Sequence, residues 1–423
     1  MLFLLITLFV VGYLAIALEH PIHLNKTASA LLTGVLCWTV YALGSPAPEP
    51  VVESLAHHLG SVAEILFFLL GAMTIVELID AHQGFRLITD QIQTRQARPL
   101  LWVVGLLTFF LSAALDNLTT SIVMVSLLRK LIKNDEARKL FAGLVIIAAN
   151  AGGAWSPIGD VTTTMLWIGG QITAQGIMKE LFLPSLLSLL VPLGYLSWQL
   201  KGTLEPVAAA PPPGPGFVPL LRRDGNLMLG VGLGMLLFVP VFKTITHLPP
   251  YLGILLGLGV VWVLSEVLHR DKDEAARQPF TAAHALSRID TSSVLFFLGI
   301  LLAIGALEST GLLGQLAQAM DRGIGNQDLI VVAIGLASAV IDNVPLVAAA
   351  MGMYDLATFP TDAKLWSFLA YCAGTGGSVL IIGSAAGVAV MGMEKIDFLW
   401  YLRRITFVAL LGYFAGVLGY LLL

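Results

Sequence analysis

Leu115-Asp116-Asn117-Leu118-Thr119-Thr120 and Ile341-Asp342-Asn343-Val344-Pro345 set the same dipeptide, Asp-Asn, near the middle of two otherwise apolar regions, 99–133 and 326–360. Arg98 precedes the first region, and Arg129, Lys130, Lys133, Arg138 and Lys139 follow its apolar part. Basic residues flanking membrane segments stay in the cytoplasm, so a single crossing would strand one of these groups on the wrong side. A hairpin that enters and leaves from the cytoplasm keeps both. Limbs of about 14 residues rising about 1.5 Å each carry the tip roughly 20 Å, past the middle of a hydrocarbon core about 30 Å thick. The second region is flanked only by Arg322 and Lys364, and the same geometry makes it a hairpin entering from outside.

Outward from the hairpins, apolar runs bounded by charge, Pro or Gly lie near 1–18, 26–43, 62–80, 140–170, 180–200, 225–242, 250–268, 290–308, 362–392 and 398–421. That makes about ten spans of bilayer length. With both termini outside, the remaining basic loops (Lys26; Arg86 and Arg95; Lys201, Arg222 and Arg223; 269–288; Arg403 and Arg404) share the cytoplasmic face. Composition agrees: of 423 residues 57% are hydrophobic and 12% charged, with mean hydropathy +0.86, whereas soluble domains carry about 25% charged residues. A soluble enzyme is excluded. A net charge of -4 and a pI near 6.1 leave no basic face for nucleic acid. Cys37 and Cys372 sit in apolar stretches and read as packing residues. Met1–Leu18 lacks the positive start and small-residue cleavage site of a signal peptide and reads as a retained helix.

The halves match in order. Phe67-Phe68-Leu69-Leu70-Gly71 answers Phe296-Phe297-Leu298-Gly299, and the Asp-Asn pairs answer one another. The stretch from Gly152-Gly153 to Gly159-Asp160 answers that from Gly376-Gly377 to Gly383-Ser384. A Pro-rich linker, 202–224, divides a first repeat, 1–201, from a second, 225–423. Five spans precede the linker, so the second repeat starts on the opposite side. The fold expected is an all-α polytopic membrane protein of two inverted-topology repeats, each with a re-entrant hairpin and a discontinuous helix.

A carboxylate in hydrocarbon costs about 2.5–3.5 kcal/mol on insertion scales, so Asp116 and Asp342 need a reason. Neither has a Lys or Arg nearby in its own segment, and capping a half-helix is the structural alternative. Asn150-Ala151-Gly152-Gly153 and Pro157-Ile158-Gly159-Asp160 cannot continue one helix, and unwound backbone at this depth must line a cavity. Asn150, Asp160, Thr162 and Thr163 can present oxygens there, as can Thr375, Ser378 and Ser384 at the second break, although hydroxyls also bond back to their own helix. Ser112 and Ser338, just before the tips, either face the site or relieve crowding. Carboxylate, amide, hydroxyl and carbonyl oxygens suit a hard cation. Desolvation penalises an ionised acid, which sheds its isolated charge by taking a proton or a metal cation, and the two compete. Glu64, Glu77, Asp80 and Glu308 read as interfacial or helix-end residues, Asp290 as a helix cap, and His57-His58 as a solvated external pair.

The Asp116, Asn150–Thr164 and Asp342 motifs together resemble NhaD-type sodium/proton antiporters of the ion transporter superfamily. The resemblance implies a multi-pass homodimer of the bacterial inner membrane exchanging Na+ or Li+ for protons without a cofactor. It further implies a transport domain, holding hairpins and broken helices, that moves against a scaffold in elevator fashion. It carries transport roles onto Asp116, Asn117, Asn150, Asp160, Thr162, Thr163, Asp342 and Asn343, less directly onto Ser112, Ser338 and Ser378, with Asp116, Asp160 and Asp342 as Na+ ligands. Three alternatives stand beside it. Superfamily relatives carry dicarboxylates or oxyanions, although acids at both tips oppose an anion. An intramembrane aspartyl protease would need Gly-x-Gly-Asp, and Pro157 occupies the first Gly position. A passive cation channel would conduct without proton coupling.

Overall fold

The computed structural model describes residues 1–422 apart from 48, 90, 91, 93, 95, 201 and 205–221, and among them every regular element is helical. The first half contains α1 (Leu2–Ala17), α2 (Lys26–Gly44), α3 (Glu49–Ala81), α4 (Ala97–Leu115), α5 (Asn117–Leu131), α6 (Asp135–Ala154), α7 (Val161–Ile168) and α8 (Ala174–Gln199). The second contains α9 (Arg222–Thr246), α10 (Pro250–Leu268), α11 (Thr291–Ser309), α12 (Leu312–Ile324), α13 (Gln327–Ala337), α14 (Asn343–Met353), α15 (Lys364–Gly376), α16 (Ala385–Glu394), α17 (Phe398–Arg404) and α18 (Thr406–Leu422). Of the expected linker, 202–224, the stretch 205–221 lies outside the described residues.

Seven helices, α2, α3, α4, α8, α9, α10 and α11, are long and apolar enough to cross a membrane, and α17 with α18 forms an eighth such unit bent by 54°. The chain is a polytopic membrane protein. Three expectations are corrected. The last span, read as continuous over 398–421, breaks at Ile405. Hairpin limb α4 has 19 residues, more than the 14 expected. The span read as 62–80 is part of a 33-residue helix, about 50 Å long at 1.5 Å per residue, which must tilt or emerge from the core. His57 and His58 lie on this helix, where His57 is exposed and the half-buried His58 brings Nε2 to 3.0 Å from Ser309 Oγ.

Packing sorts the helices into two sets. One is built by α2 on α11, α3 on α10 and α9 on α10; the other by α4 on α6, α8 on α18 and α13 on α15. The seam between them is crossed by α14 on α11, α7 on α3 and α9 on α4. Cys37 and Cys372 are buried and free, as packing residues are.

Each hairpin grips its broken helix in the same way. Ser112 Oγ donates to the Ala149 carbonyl at 2.6 Å, and Ser338 Oγ to the Ala373 carbonyl at 2.8 Å. Glycine permits the contact: a Cβ at Gly152 would overlap the Phe109 carbonyl, and one at Gly376 the Gly335 carbonyl. The two breaks then restart alike, with extended caps at Asp160 (φ -146°, ψ 150°) and Ser384 (φ -144°, ψ 154°).

Candidate ion-binding site

Four helices, α5, α7, α14 and α16, begin at the hairpin tips or at the breaks, and their caps are Asp116, Asp160, Asp342 and Ser384. A helix N-terminus leaves amides unpaired and carries partial positive charge, so a short side chain with an acceptor oxygen stabilises each start. Asp116 accepts from the Thr119 amide at 2.8 Å and the Thr119 hydroxyl at 2.7 Å. These bonds hold Asp116 at φ 131°, a region that residues with side chains rarely adopt, and the chain reverses there. Asp342 accepts from the Val344 amide at 3.2 Å. The acids at both tips are thus caps, whatever else they do.

Asp160 holds the centre. Its Oδ1 accepts from the Thr162 amide at 3.0 Å, while Oδ2 accepts from Asn117 Nδ2 at 2.7 Å and from Asn343 Nδ2 at 3.2 Å. Asn117 Nδ2 also donates to Asn150 Oδ1 at 2.9 Å, and Asn150 Nδ2 donates to Ser384 Oγ at 3.1 Å. One hydrogen-bonded chain, Asn343–Asp160–Asn117–Asn150–Ser384, therefore joins both tips and both breaks, and all five residues are buried. Asp160 and Asp116 have no ion pair among the described residues. A buried, unpaired carboxylate surrounded by amide donors can accept a proton or a small cation, but it repels an anion.

Other expected residues lie farther from this chain of bonds. Thr163 Oγ1 donates to the Asp160 carbonyl at 2.9 Å, Thr375 Oγ1 to Tyr371 O at 2.6 Å and Ser378 Oγ to Thr375 O at 2.6 Å. These three hydroxyls bond back to local backbone. Ser112 and Ser338 bind broken-helix carbonyls, as described above, rather than facing the acids. Thr162 Oγ1 is buried without a hydrogen-bond partner, and so are Thr120 Oγ1 and Ser121 Oγ on α5. Neither Thr120 nor Ser121 was given a role from the sequence, although they follow Asp116 by only four and five residues. Asp290 caps α11 through the Ser293 amide at 3.1 Å, as expected, and Glu77 meets Arg288 at 2.7 Å.

Among the described residues no three or more Asp, Glu, His or Cys side chains are gathered closely enough to hold one metal ion together. Nor are the tip acids all free of cations: Lys26 of α2 brings Nζ to 4.0 Å from Asp342 Oδ2. Sequence proximity could not reveal Lys26, because it reaches Asp342 across the seam. Arg129 and Arg138 likewise converge on buried Glu394, at 2.7 and 2.6 Å, tying α5 and α6 to the end of α16.

Hairpin tips and helix breaks meeting around a buried polar centre define the architecture of a membrane transporter. The chain belongs to the NhaD-type sodium/proton antiporter family, and its residues 13–369 match the family profile described as citrate transporter, CitMHS. Sodium/proton antiporter 1 of Arabidopsis thaliana is 56% identical over 414 residues, covering 98% of this chain and 71% of the relative. The Na(+)/H(+) antiporter NhaD of Vibrio cholerae is 32% identical over 449 residues, covering 98% and 90%. In fold the chain is similar to the YdaH transporter of Alcanivorax borkumensis, whose crystal structure is described as having an unusual topology. The TM-score is 0.59 and the identity 11%, with 94% of this chain and 97% of that one covered. The family resemblance read from the motifs is borne out.

Proposed function

We propose that the protein is a secondary antiporter exchanging Na+, and also Li+, for protons, with Asp160 as the group on which the two compete. The chain of bonds from Asn343 through Asp160 and Asn117 to Asn150 carries this reading, because it surrounds an unpaired buried carboxylate with groups from both hairpins and both breaks. A sodium ion needs several oxygen ligands. The carboxylate, Asn150 Oδ1, the unpartnered Thr162 hydroxyl and backbone carbonyls at the breaks are of the right kind. Protonation of Asp160 removes the charge that holds the ion, so loading is exclusive and the fluxes are coupled. Asp116 and Asp342, at the neighbouring tips, receive an entering proton or Na+ on its way to Asp160.

The two packing sets support an elevator-type cycle in which α4–α8 and α13–α18 move against α1–α3 and α9–α11. The matching hairpin contacts support two inverted repeats, 1–201 and 225–423, joined by 202–224. A homodimer through the α1–α3 and α9–α11 set is the assembly proposed. The bacterial inner membrane is the proposed location on the strength of relatives such as the Vibrio cholerae NhaD; the Arabidopsis relatives show that the group extends beyond bacteria.

The description of the matching profile raises citrate as a second substrate class. A polyanion entering this site would meet Asp160 with no Lys or Arg paired to it, and helix N-termini already capped by the protein's own acids. The test is proteoliposome exchange with Na+, Li+, K+ and citrate at several pH values. Na+- and Li+-driven proton movement that disappears in Asp160→Asn, with no citrate uptake, is the expected result. Full exchange in Asp160→Asn, or citrate uptake without cation exchange, would overturn the proposal.

A further inference from the structure

We infer that Lys26 is an internal counter-cation that holds the second hairpin tip against the scaffold until an incoming Na+ or H+ replaces it on Asp342. The inference rests on the antiport reading and adds a positioning residue to it. Lys26 is the first residue of α2, which packs on α11 in the scaffold set. Asp342 lies at the hairpin tip in the opposite set. Their ion pair, Nζ to Oδ2 at 4.0 Å, therefore crosses the seam that an elevator movement must shear.

The surroundings fit a removable contact. The pair lies in a cleft of about 730 Å³. The charged and titratable groups lining it are Tyr13 on α1, Glu19 just after it, Lys26, Asp342, and Lys395 and Asp397 between α16 and α17. The positive-inside assignment puts this mouth in the cytoplasm. Side-chain exposures of 23% for Lys26 and 15% for Asp342 leave both within reach of entering ions. Phe296 of α11 lies under the ammonium, with Nζ 4.7 Å from the ring centroid, and the Lys26 amide is fixed by Glu19 Oε1 at 3.2 Å. The lysine is thus anchored on the scaffold side while its partner is free to leave.

The coupling follows from charge conservation at Asp342. An ionised, empty Asp342 is neutralised by Lys26, so the empty transport domain is held in place. When Na+ or H+ occupies Asp342, the lysine's attraction is cancelled and the domain is released loaded. An empty return, which would dissipate the gradient, is thereby opposed.

Wild-type protein in proteoliposomes is measured first, because absence of Na+-dependent proton movement there would reject antiport itself. Given wild-type exchange, Lys26→Met removes a competitor for Asp342. The apparent half-saturation concentration for Na+ at alkaline pH should fall severalfold, and the activity profile should move to higher pH. Lys26→Arg should restore both towards wild type, which a purely structural role would not require. In Asp342→Asn, adding Lys26→Met should change neither quantity. A second measurement needs no substitution: carbodiimide should couple the Lys26 amine to the Asp342 carboxylate in wild-type protein, read by mass spectrometry as a linked peptide, and saturating Na+ should suppress the product. Unchanged Na+ dependence and pH profile in Lys26→Met, or a linked peptide insensitive to Na+, would overturn the inference.

Discussion

Asn117→Ala removes a single amide that serves two acceptors, Asp160 Oδ2 at 2.7 Å and Asn150 Oδ1 at 2.9 Å. A hydrogen bond to a charged group contributes about 1.5–3 kcal/mol, and this one favours the ionised acid over its protonated form. Losing it strengthens proton binding relative to Na+ binding. At about 1.4 kcal/mol per pH unit, the exchange profile should move one to two units towards alkaline pH. At a fixed neutral pH the apparent half-saturation for Na+ should rise by about tenfold or more, the same free energy read as affinity. Asn343→Ala removes the longer 3.2 Å bond and should give a shift in the same direction but smaller. The assay is Na+-driven proton release from proteoliposomes across a pH series, with size-exclusion behaviour and Tm in detergent confirming that each variant is folded. A folded Asn117→Ala whose profile superimposes on wild type, or moves towards acid, would refute the assignment of Asp160 as the shared site.

The hairpin packing makes a steric prediction: Gly376→Ala, whose Cβ would collide with the Gly335 carbonyl, should lose most exchange and lower Tm. Gly392→Ala, with open space around it, should be neutral or slightly stabilising; equal behaviour of the two would remove the packing argument. A third prediction concerns stability outside the spans, where His269 Nε2 lies 2.9 Å from His82 Nε2. Burial, with Lys272 and His82 adding repulsion, pushes His269 down from the usual 6.5 to about 4, and burial lowers His82 as well. Between these values the unfolded chain binds protons that the folded chain refuses, so stability should fall as pH drops from 6.5 towards 4. Thermal melts should show that slope in wild type and a flatter one in His269→Gln; a wild-type Tm constant across the window would count against the buried pair.

Much of the architecture was legible because hydrocarbon tolerates so little. Asp116 and Asp342 interrupt long apolar runs, and Gly and Pro in 150–160 and 376–384 forbid continuous helix, so hairpin tips and breaks could be placed by elimination. Asn150, Asp160, Asn117 and Asn343 were legible as polar residues at those interruptions. Their ranking was not. The tip acids drew attention as the most isolated charges, and all three acids cap helices, but only Asp160 also receives amides from both tips. The bend at Ile405 and the early start of α3 also escaped hydropathy, which reports how apolar a run is and not how its helix begins or turns.

By itself, then, the sequence determined that the chain is a membrane protein whose polar residues gather at two interrupted hairpins and two interrupted helices, because local composition alone decides whether a segment can enter lipid. Only the tertiary structure decided which acid is central and which has a cationic partner. Asn343 meets Asp160, Ser384 meets Asn150 and Lys26 meets Asp342 across the two halves or across the seam. Electrostatic interaction depends on distance in space, and separation along the chain carries almost no information about that distance.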